Sequence, residues 1–319
     1  MAPTADNKWR NIRKLPFDIA RDSVPDGGFM ASKLDGHQVF YKVWKPTGPV
    51  KAQLLFFHGL GEHVLRYDAI FERFARAGIL VRGMDARGHG RTAKKSGGTG
   101  HARSFNAIFD DMLQLLGLDV TLKASDSQSL RGIPLFVGGH SMGGLLALSF
   151  VLTRKHQLPN LRGCISQAPA LGVAPVHWFL KLLVMFLGRF WLINWITQPN
   201  NLALAGLCSH EPVIIDYVKD PLVHGIISIA LAREIFIYQK LVLSKAREFT
   251  IPLITYHSSL DKFTYANASE QFVVEAASKD KKLKIIPASE ALEHEIHNEP
   301  SAKDRIVEDY IEWIMERSK

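Results

Sequence analysis

The sequence predicts an α/β fold: a mostly parallel central sheet with helices on both faces and an inserted helical cap. Three observations predict it. Short, continuous apolar runs alternate with helical patterns through the first half of the 319-residue chain, as strands buried on both faces and their crossover helices require. The alternation breaks near residue 170 into mainly helical text punctuated by Pro175, Pro199, Pro212 and Pro221. It then resumes near residue 247 and runs to the C-terminus, so the chain reads as a core over 1–169 and 247–319 with a cap over 170–246.

The elements follow in order. Two strand-like runs within 29–44 flank Asp35-Gly36, a dipeptide that tolerates the positive φ of a tight turn, and so predict a hairpin at a sheet edge. Apolar runs at 54–57, 79–84 and 133–137 predict strands, and 68–77 predicts a helix with Ile70, Phe71, Phe74 and Ala75 on one side before Gly78. Ser104 is placed to cap a helix carrying Ile108, Phe109, Met112, Leu113 and Leu116. An almost wholly apolar helix is expected at 145–152 and a strand at 161–166. After the cap come a strand at 252–256, a helix near 268–277, a strand at 283–286 and a closing helix at about 302–317.

Composition narrows the function classes. A hydrophobic share of 47% with 22% charged residues is that of a globular chain with a sizeable core. The net charge of +8 raises the question of an anionic partner, but its densest groups, Lys94-Lys95 and Lys279-Asp280-Lys281-Lys282, are short and turn-like, which argues against nucleic acid. Cys164 and Cys208 have neither the number nor the spacing of a disulfide framework or a zinc site. The first 17 residues lack the apolar run of a signal peptide, so a cytoplasmic protein is expected.

The chemistry centres on Gly139-His140-Ser141-Met142-Gly143, a G-x-S-x-G placed between an expected strand and an expected helix. A serine on such a turn needs a strained backbone, which small neighbours two residues away permit. Acyl transfer also needs two N–H donors for the oxyanion, and Met142, with Leu60 in the glycine-rich loop His58-Gly59-Leu60-Gly61, are the candidates. A serine hydroxyl is a weak nucleophile unless a base removes its proton and a carboxylate orients that base. Asp261, in the loop after the strand at 252–256, is the expected acid. The loop after 283–286 offers His294 as the base, with His297 as the alternative. His63, His89, His140 and His257 read as site-lining or hydrogen-bonded residues.

Together, His58-Gly59-Leu60-Gly61-Glu62-His63, Asp85-Ala86-Arg87-Gly88-His89-Gly90 and Gly139-His140-Ser141-Met142-Gly143-Gly144 resemble the monoacylglycerol lipase family of serine hydrolases, and Asp220-Pro221-Leu222 resembles that family's cap. The resemblance runs from about Gly36 to the C-terminus. It implies the α/β-hydrolase fold, the triad Ser141, Asp261 and His294, an oxyanion hole of Leu60 and Met142, an architectural role for Asp85, Arg87 and His89, and a monoacylglycerol as substrate. No metal or organic cofactor is called for. The chain departs from the family at Ser258-Ser259, at Thr92 and in a longer loop around His294, where Glu290, Glu293 and Glu295 are expected to favour imidazolium and shift the pH optimum.

Within the cap, 176–196 is strongly apolar, but Lys181 and Arg189 interrupt it too soon for a membrane span. A helical projection groups His177, Lys181 and Gly188 with Arg189 nearby, leaving Trp178, Leu182, Met185, Phe186 and Trp195 on a broadly apolar surface. That surface reads either as a funnel for an acyl chain or as packing of the cap onto the core, with Trp178, Leu182, Met185 and Phe186 as the substrate-binding candidates. Peripheral contact with a membrane or lipid droplet is the companion expectation, to be judged by the exposure of Trp178 and Trp195. A lysophospholipase, a general carboxylesterase, a thioesterase and a non-catalytic binder of hydrophobic ligands stay open.

Overall fold

The computed structural model describes residues 9, 12–19, 22–118, 130–173, 178–190, 193–200 and 202–319. Strands β1 (Gly27–Ala31) and β2 (Gln38–Trp44) form the antiparallel hairpin expected around Asp35-Gly36. After β3 (Ala52–Phe57), α1 (Asp68–Arg76) and β4 (Ile79–Met84), the helices α2 (Gly90–Ser96) and α3 (Phe105–Leu116) lead to β5 (Leu135–His140). Ser104 caps α3, its hydroxyl accepting from the amide of Asn106. The strand expected at 133–137 begins instead at Leu135, because Pro134 has no N–H for a ladder; its carbonyl accepts from Gln53.

Helix α4 (Met142–Arg154) and strand β6 (Leu161–Gln167) complete this half of the sheet. Between β6 and the next sheet strand lie α5 (Trp178–Leu187), β7 (Thr197–Pro199), α6 (Glu211–Lys219), β8 (Ile226–Ser228) and α7 (Ile229–Ser244). This stretch was expected to be mainly helical. It also holds a small antiparallel pair, β7 with β8, whose three-residue strands are too short to leave a period in the sequence. His177, grouped above with Lys181, lies outside the described residues. The chain returns through β9 (Leu253–Ser258), α8 (Ala266–Glu275) and β10 (Lys281–Ile286) and closes on α9 (Lys303–Glu316).

The eight-stranded sheet runs β1-β2-β4-β3-β5-β6-β9-β10, antiparallel at β1/β2 and β2/β4 and parallel from β4 onward. One face buries α3, α4 and α7 through residues such as Phe109, Met112, Leu146, Phe150, Leu231 and Tyr238. The other buries α1 and α9 through Phe71, Phe74, Ile306 and Trp313. The predicted class, α/β with a mostly parallel sheet covered on both faces, is therefore observed. Because the parallel strands share one direction, the loops after β3, β5, β9 and β10 emerge along one edge, the usual place for a site in such sheets.

Candidate active site

Ser141 occupies the turn from β5 into α4 with φ 58° and ψ −121°, a conformation that non-glycine residues rarely adopt. Backbone bonds hold it there: its N–H donates to Gln167 O at 2.9 Å, and its carbonyl accepts from Leu145 at 3.1 Å and Ala170 at 3.0 Å. The flanking glycines are required by space. A Cβ on Gly139 would collide with the carbonyl of Gly143, and a Cβ on Gly143 with that of Phe57. Met142 is the first residue of α4, so its N–H has no acceptor within the helix.

The loop after β3 passes close beside this turn. A Cβ on Gly59 would stand 3.3 Å from the Cβ of Ser141 and 2.7 Å from Glu62 Oε1. Gly59 N–H donates to that same carboxylate oxygen at 2.6 Å, which fixes the peptides on either side, including the one that bears the Leu60 amide. Gly61, with φ +77°, brings the loop against the carbonyl of His224 and accepts from His224 N–H at 2.8 Å.

Asp261 and His294 meet through a 2.5 Å bond between Oδ2 and Nδ1. Asp261 is further held by the amides of Phe263 (2.8 Å) and Thr264 (3.0 Å) and by the Thr264 hydroxyl (2.9 Å), with His257 Nε2 at 3.3 Å. Burial alone would raise this carboxyl, but the charge of His294 and the bonds from the two histidines outweigh it and hold the pKa well below the usual range. Burial alone would likewise lower the His294 imidazole, and the Asp261 carboxylate overcomes it, with smaller help from Glu295 and Glu62, so its pKa is raised. His297 lies elsewhere. Its Nδ1 is 2.5 Å from Gln167 Nε2, its ring stacks on Tyr67, and burial and then the neighbouring His140 push its pKa down to about 3.

The departures from the family pattern find partners. Thr92 Oγ1 donates to Asp85 O at 2.7 Å and accepts from Phe40 N–H at 2.9 Å, so a hydroxyl is all this position uses. Ser258 Oγ donates to the carbonyl of Leu292, tying the loop of Asp261 to the loop of His294. Each of the three acids around His294 has a cation: Glu290 with Arg305, Glu293 with Lys262 and Glu295 with Arg66. Asp85 accepts from the amides of Val64 and Arg91, Arg87 joins Asp35 and Asp111, and the ring of His89 lies between those of His58 and His224. His63 bonds Asp220 at 2.7 Å, which fastens the Asp220-Pro221-Leu222 run to the loop after β3.

A cleft of about 580 Å³, counting its open mouth, is lined by Leu60, Ser141, Met142 and His294 together with Val173, Leu202, Leu207, Tyr217, Ile235 and Phe263. Trp178, Leu182, Met185 and Phe186 are not among its lining residues. Instead Val184 is the buried side chain of α5, and Trp178 (67% exposed), Leu182 and Phe186 face solvent while Met185 is half-buried. Helix α5 is apolar nearly all round, so periodicity cannot say which side packs. Trp195 is also exposed, at 56%. Sequence reasoning missed Leu202 and Tyr217, which reach the cleft from irregular and helical parts of the excursion, and it missed the link from Glu62 through Arg66 to Glu295. The i,i+4 spacing of Glu62 and Arg66 was a visible signal; the third member, 229 residues away from Arg66, was not.

Among the described residues no helix is long and apolar enough to cross a membrane. The family described as "Serine aminopeptidase, S33" matches residues 48–301. A monoacylglycerol lipase of Mycolicibacterium smegmatis is 31% identical over 88% of this chain and 94% of its own length. An uncharacterized abhydrolase domain-containing protein of Dictyostelium discoideum is 34% identical over 89% of this chain, which spans 28% of that protein's length. Among solved structures, the monoacylglycerol lipase of Paleococcus ferrophilus superposes with a TM-score of 0.75 at 25% identity, covering 88% of this chain and 99% of that one. Sheet order, strand-to-helix serine and family match agree: the chain belongs to the serine aminopeptidase S33 family and is a serine hydrolase of the α/β-hydrolase fold.

Proposed function

We propose that this serine ester hydrolase cleaves monoacylglycerols to glycerol and free fatty acid through an acyl-enzyme on Ser141. The observation that carries the reading is the 2.5 Å pair of Asp261 with His294 at the rim of the cleft that also holds Ser141. His294 takes the proton of Ser141 through Nε2, and Asp261 fixes the tautomer and stabilises the imidazolium that results. The serine oxygen attacks the ester carbonyl, and the N–H groups of Leu60 and Met142 receive the oxyanion. Collapse of the tetrahedral intermediate breaks the ester bond as His294 protonates the departing alcohol; water, deprotonated by His294, then releases the fatty acid.

The substrate class rests on an apolar cleft lining and on the names of the relatives, which include monoacylglycerol lipases at 31% and 25% identity. Residues 170–246 act as the cap over this cleft. The exposed apolar side of α5, with Trp178, Leu182 and Phe186, serves as the face that meets a lipid surface, a role supported by its exposure rather than by any contact with the cleft.

The test is fatty-acid release from mono-, di- and triacylglycerols, lysophospholipids and short soluble esters, with Ser141→Ala as the blank. Preference for monoacylglycerols that disappears in the variant supports the reading. Activity confined to short esters replaces the substrate class, and no release from any of them overturns the enzymatic assignment of Ser141.

A further inference from the structure

Glu295 directly follows His294, yet its carboxylate is buried away from solvent beside the site, only 1% of the residue being exposed. Arg66 grips it with two nitrogens, Nη1 to Oε1 at 2.5 Å and Nη2 to Oε2 at 2.8 Å, the fork geometry that fixes a carboxylate in orientation as well as position. The same Nη1 lies 2.5 Å from Glu62 Oε2. The other oxygen of Glu62 holds Gly59 N–H at 2.6 Å and the Tyr67 hydroxyl at 2.6 Å. An unbroken run of charge-assisted bonds thus joins the backbone of the loop bearing Leu60 to the residue after His294. Arg66 also lies over the ring of Tyr217 on α6, 4.7 Å from its centroid, and Glu295 N–H donates to Leu207 O at 2.8 Å.

From this we infer that Glu295 and Arg66 are positioning residues: with Glu62 they form a clamp that sets the distance between the Leu60 amide and the His294 imidazole. The inference rests on the ester-hydrolase reading of Ser141, Asp261 and His294. Its physical basis is the charge count of the clamp. Two carboxylates and one guanidinium leave one negative charge in a site withdrawn from water, a costly arrangement whose usual justification is geometric definition rather than stability. Removing Arg66 would leave two buried carboxylates facing each other. Neutralising Glu295 leaves Arg66 and Glu62 as a balanced pair, so the fold tolerates that change better. The surplus charge also acts on the base. His294 is faced by His257 on β9 and Asp261 from the loop after it, by His140 at the end of β5, by Glu62 and Arg66 from the loop before α1, by Tyr217 from α6 and by Glu295 and His297 on its own loop. Among these the carboxylates favour the protonated ring.

The experiment compares Glu295→Gln with the wild-type protein on a soluble p-nitrophenyl ester, measuring kcat, KM and the pH dependence of kcat/KM. Donors aimed at the oxyanion act in the transition state, so kcat is expected to fall by about ten-fold with KM changed by less than about two-fold. The acid limb is expected to move to lower pH, a shift that a purely structural role would not produce. Arg66→Lys keeps the positive charge but loses the fork, and is expected to lower kcat with the acid limb unmoved; it carries the test if Glu295→Gln does not fold. A folded Glu295→Gln with unchanged kcat and pH limb overturns the clamp. Labelling by a fluorophosphonate separates the two levels: absence of Ser141 labelling in the wild-type protein sinks the underlying reading, whereas normal labelling and turnover alongside an unaffected variant sinks only the clamp.

Discussion

His294 Nδ1 and Asp261 Oδ2 stand 2.5 Å apart although 33 residues separate them, and the loops that carry them are joined a second time by Ser258 and the carbonyl of Leu292. The pair is therefore held by its backbone as well as by its charges. The Asp261 carboxylate raises the His294 pKa against the opposing effect of burial.

Activity should follow that shift. A base must be neutral to accept a proton, so kcat/KM is expected to rise with pH through a limb lying above the ordinary imidazole value of about 6.5. A pH–rate profile on a soluble ester measures it, and a limb below that value contradicts the assignment of His294.

Asp261→Asn keeps an oxygen for the amides of Phe263 and Thr264, so the loop should stay folded. It no longer fixes the tautomer or stabilises imidazolium, and kcat should fall by about 10³ to 10⁴. Circular dichroism with turnover on one preparation tests both halves; an unchanged fold without the loss in kcat refutes the role.

Much of this architecture is legible in the sequence. The hairpin, the parallel strands and the serine turn are local matters, since Asp35-Gly36, the continuous apolar runs and Gly139 to Gly143 each dictate their own backbone. Asp261 and His294 were singled out because chain order in such a sheet restricts where the loops emerge, and the structure places the two side chains in contact. The α5 residues went astray for a reason that lies in the sequence itself: a helix apolar nearly all round carries little signal of its buried face. Leu202, Tyr217 and the bond from Arg66 to Glu295 depend on contacts between distant segments, and nothing in their neighbourhoods encodes those partners.

Acid should weaken the fold through histidines buried in neutral form. Burial first, then neighbouring charge, lowers His297 to about 3 and His224 to about 4. The unfolded chain takes up these protons near pH 6.5 and the folded chain does not, so stability is complete above about 6.5 and declines below it by about 1.4 kcal/mol per pH unit per group. Urea unfolding of His297→Asn between pH 6.5 and 5 should show a shallower decline than the wild-type protein; equal slopes would falsify the attribution.

Gly143→Ala puts a methyl group against the carbonyl of Phe57, on a backbone that pairs with β5 and cannot withdraw freely. A loss of about 2 kcal/mol or more is expected, with fluorophosphonate labelling of Ser141 slowed as the turn shifts. Gly132→Ala is a useful contrast, because nothing stands near that position and only its φ of +87° opposes the change. A smaller loss for Gly143→Ala than for Gly132→Ala would contradict the packing argument.

Replacing Trp178 and Phe186 with serine should reduce adsorption to phosphatidylcholine vesicles and turnover of dispersed monoacylglycerol by about ten-fold or more, while leaving a soluble ester unaffected. Vesicle co-sedimentation and the two assays decide it. Equal losses on both substrates would place these side chains in catalysis rather than in adsorption.

Two parts of the excursion between β6 and β9 are fastened differently. Residues 220–224 are bonded to the loop after β3 through His63 with Asp220 and through Gly61 with His224, whereas α5 has Val184 as its buried side chain. The first is a foundation and the second a module. Exchanging α5 for a helix of another length or polarity is therefore expected to leave the loop of Leu60 in register, which makes α5 the natural place to graft a different exposed surface onto this hydrolase.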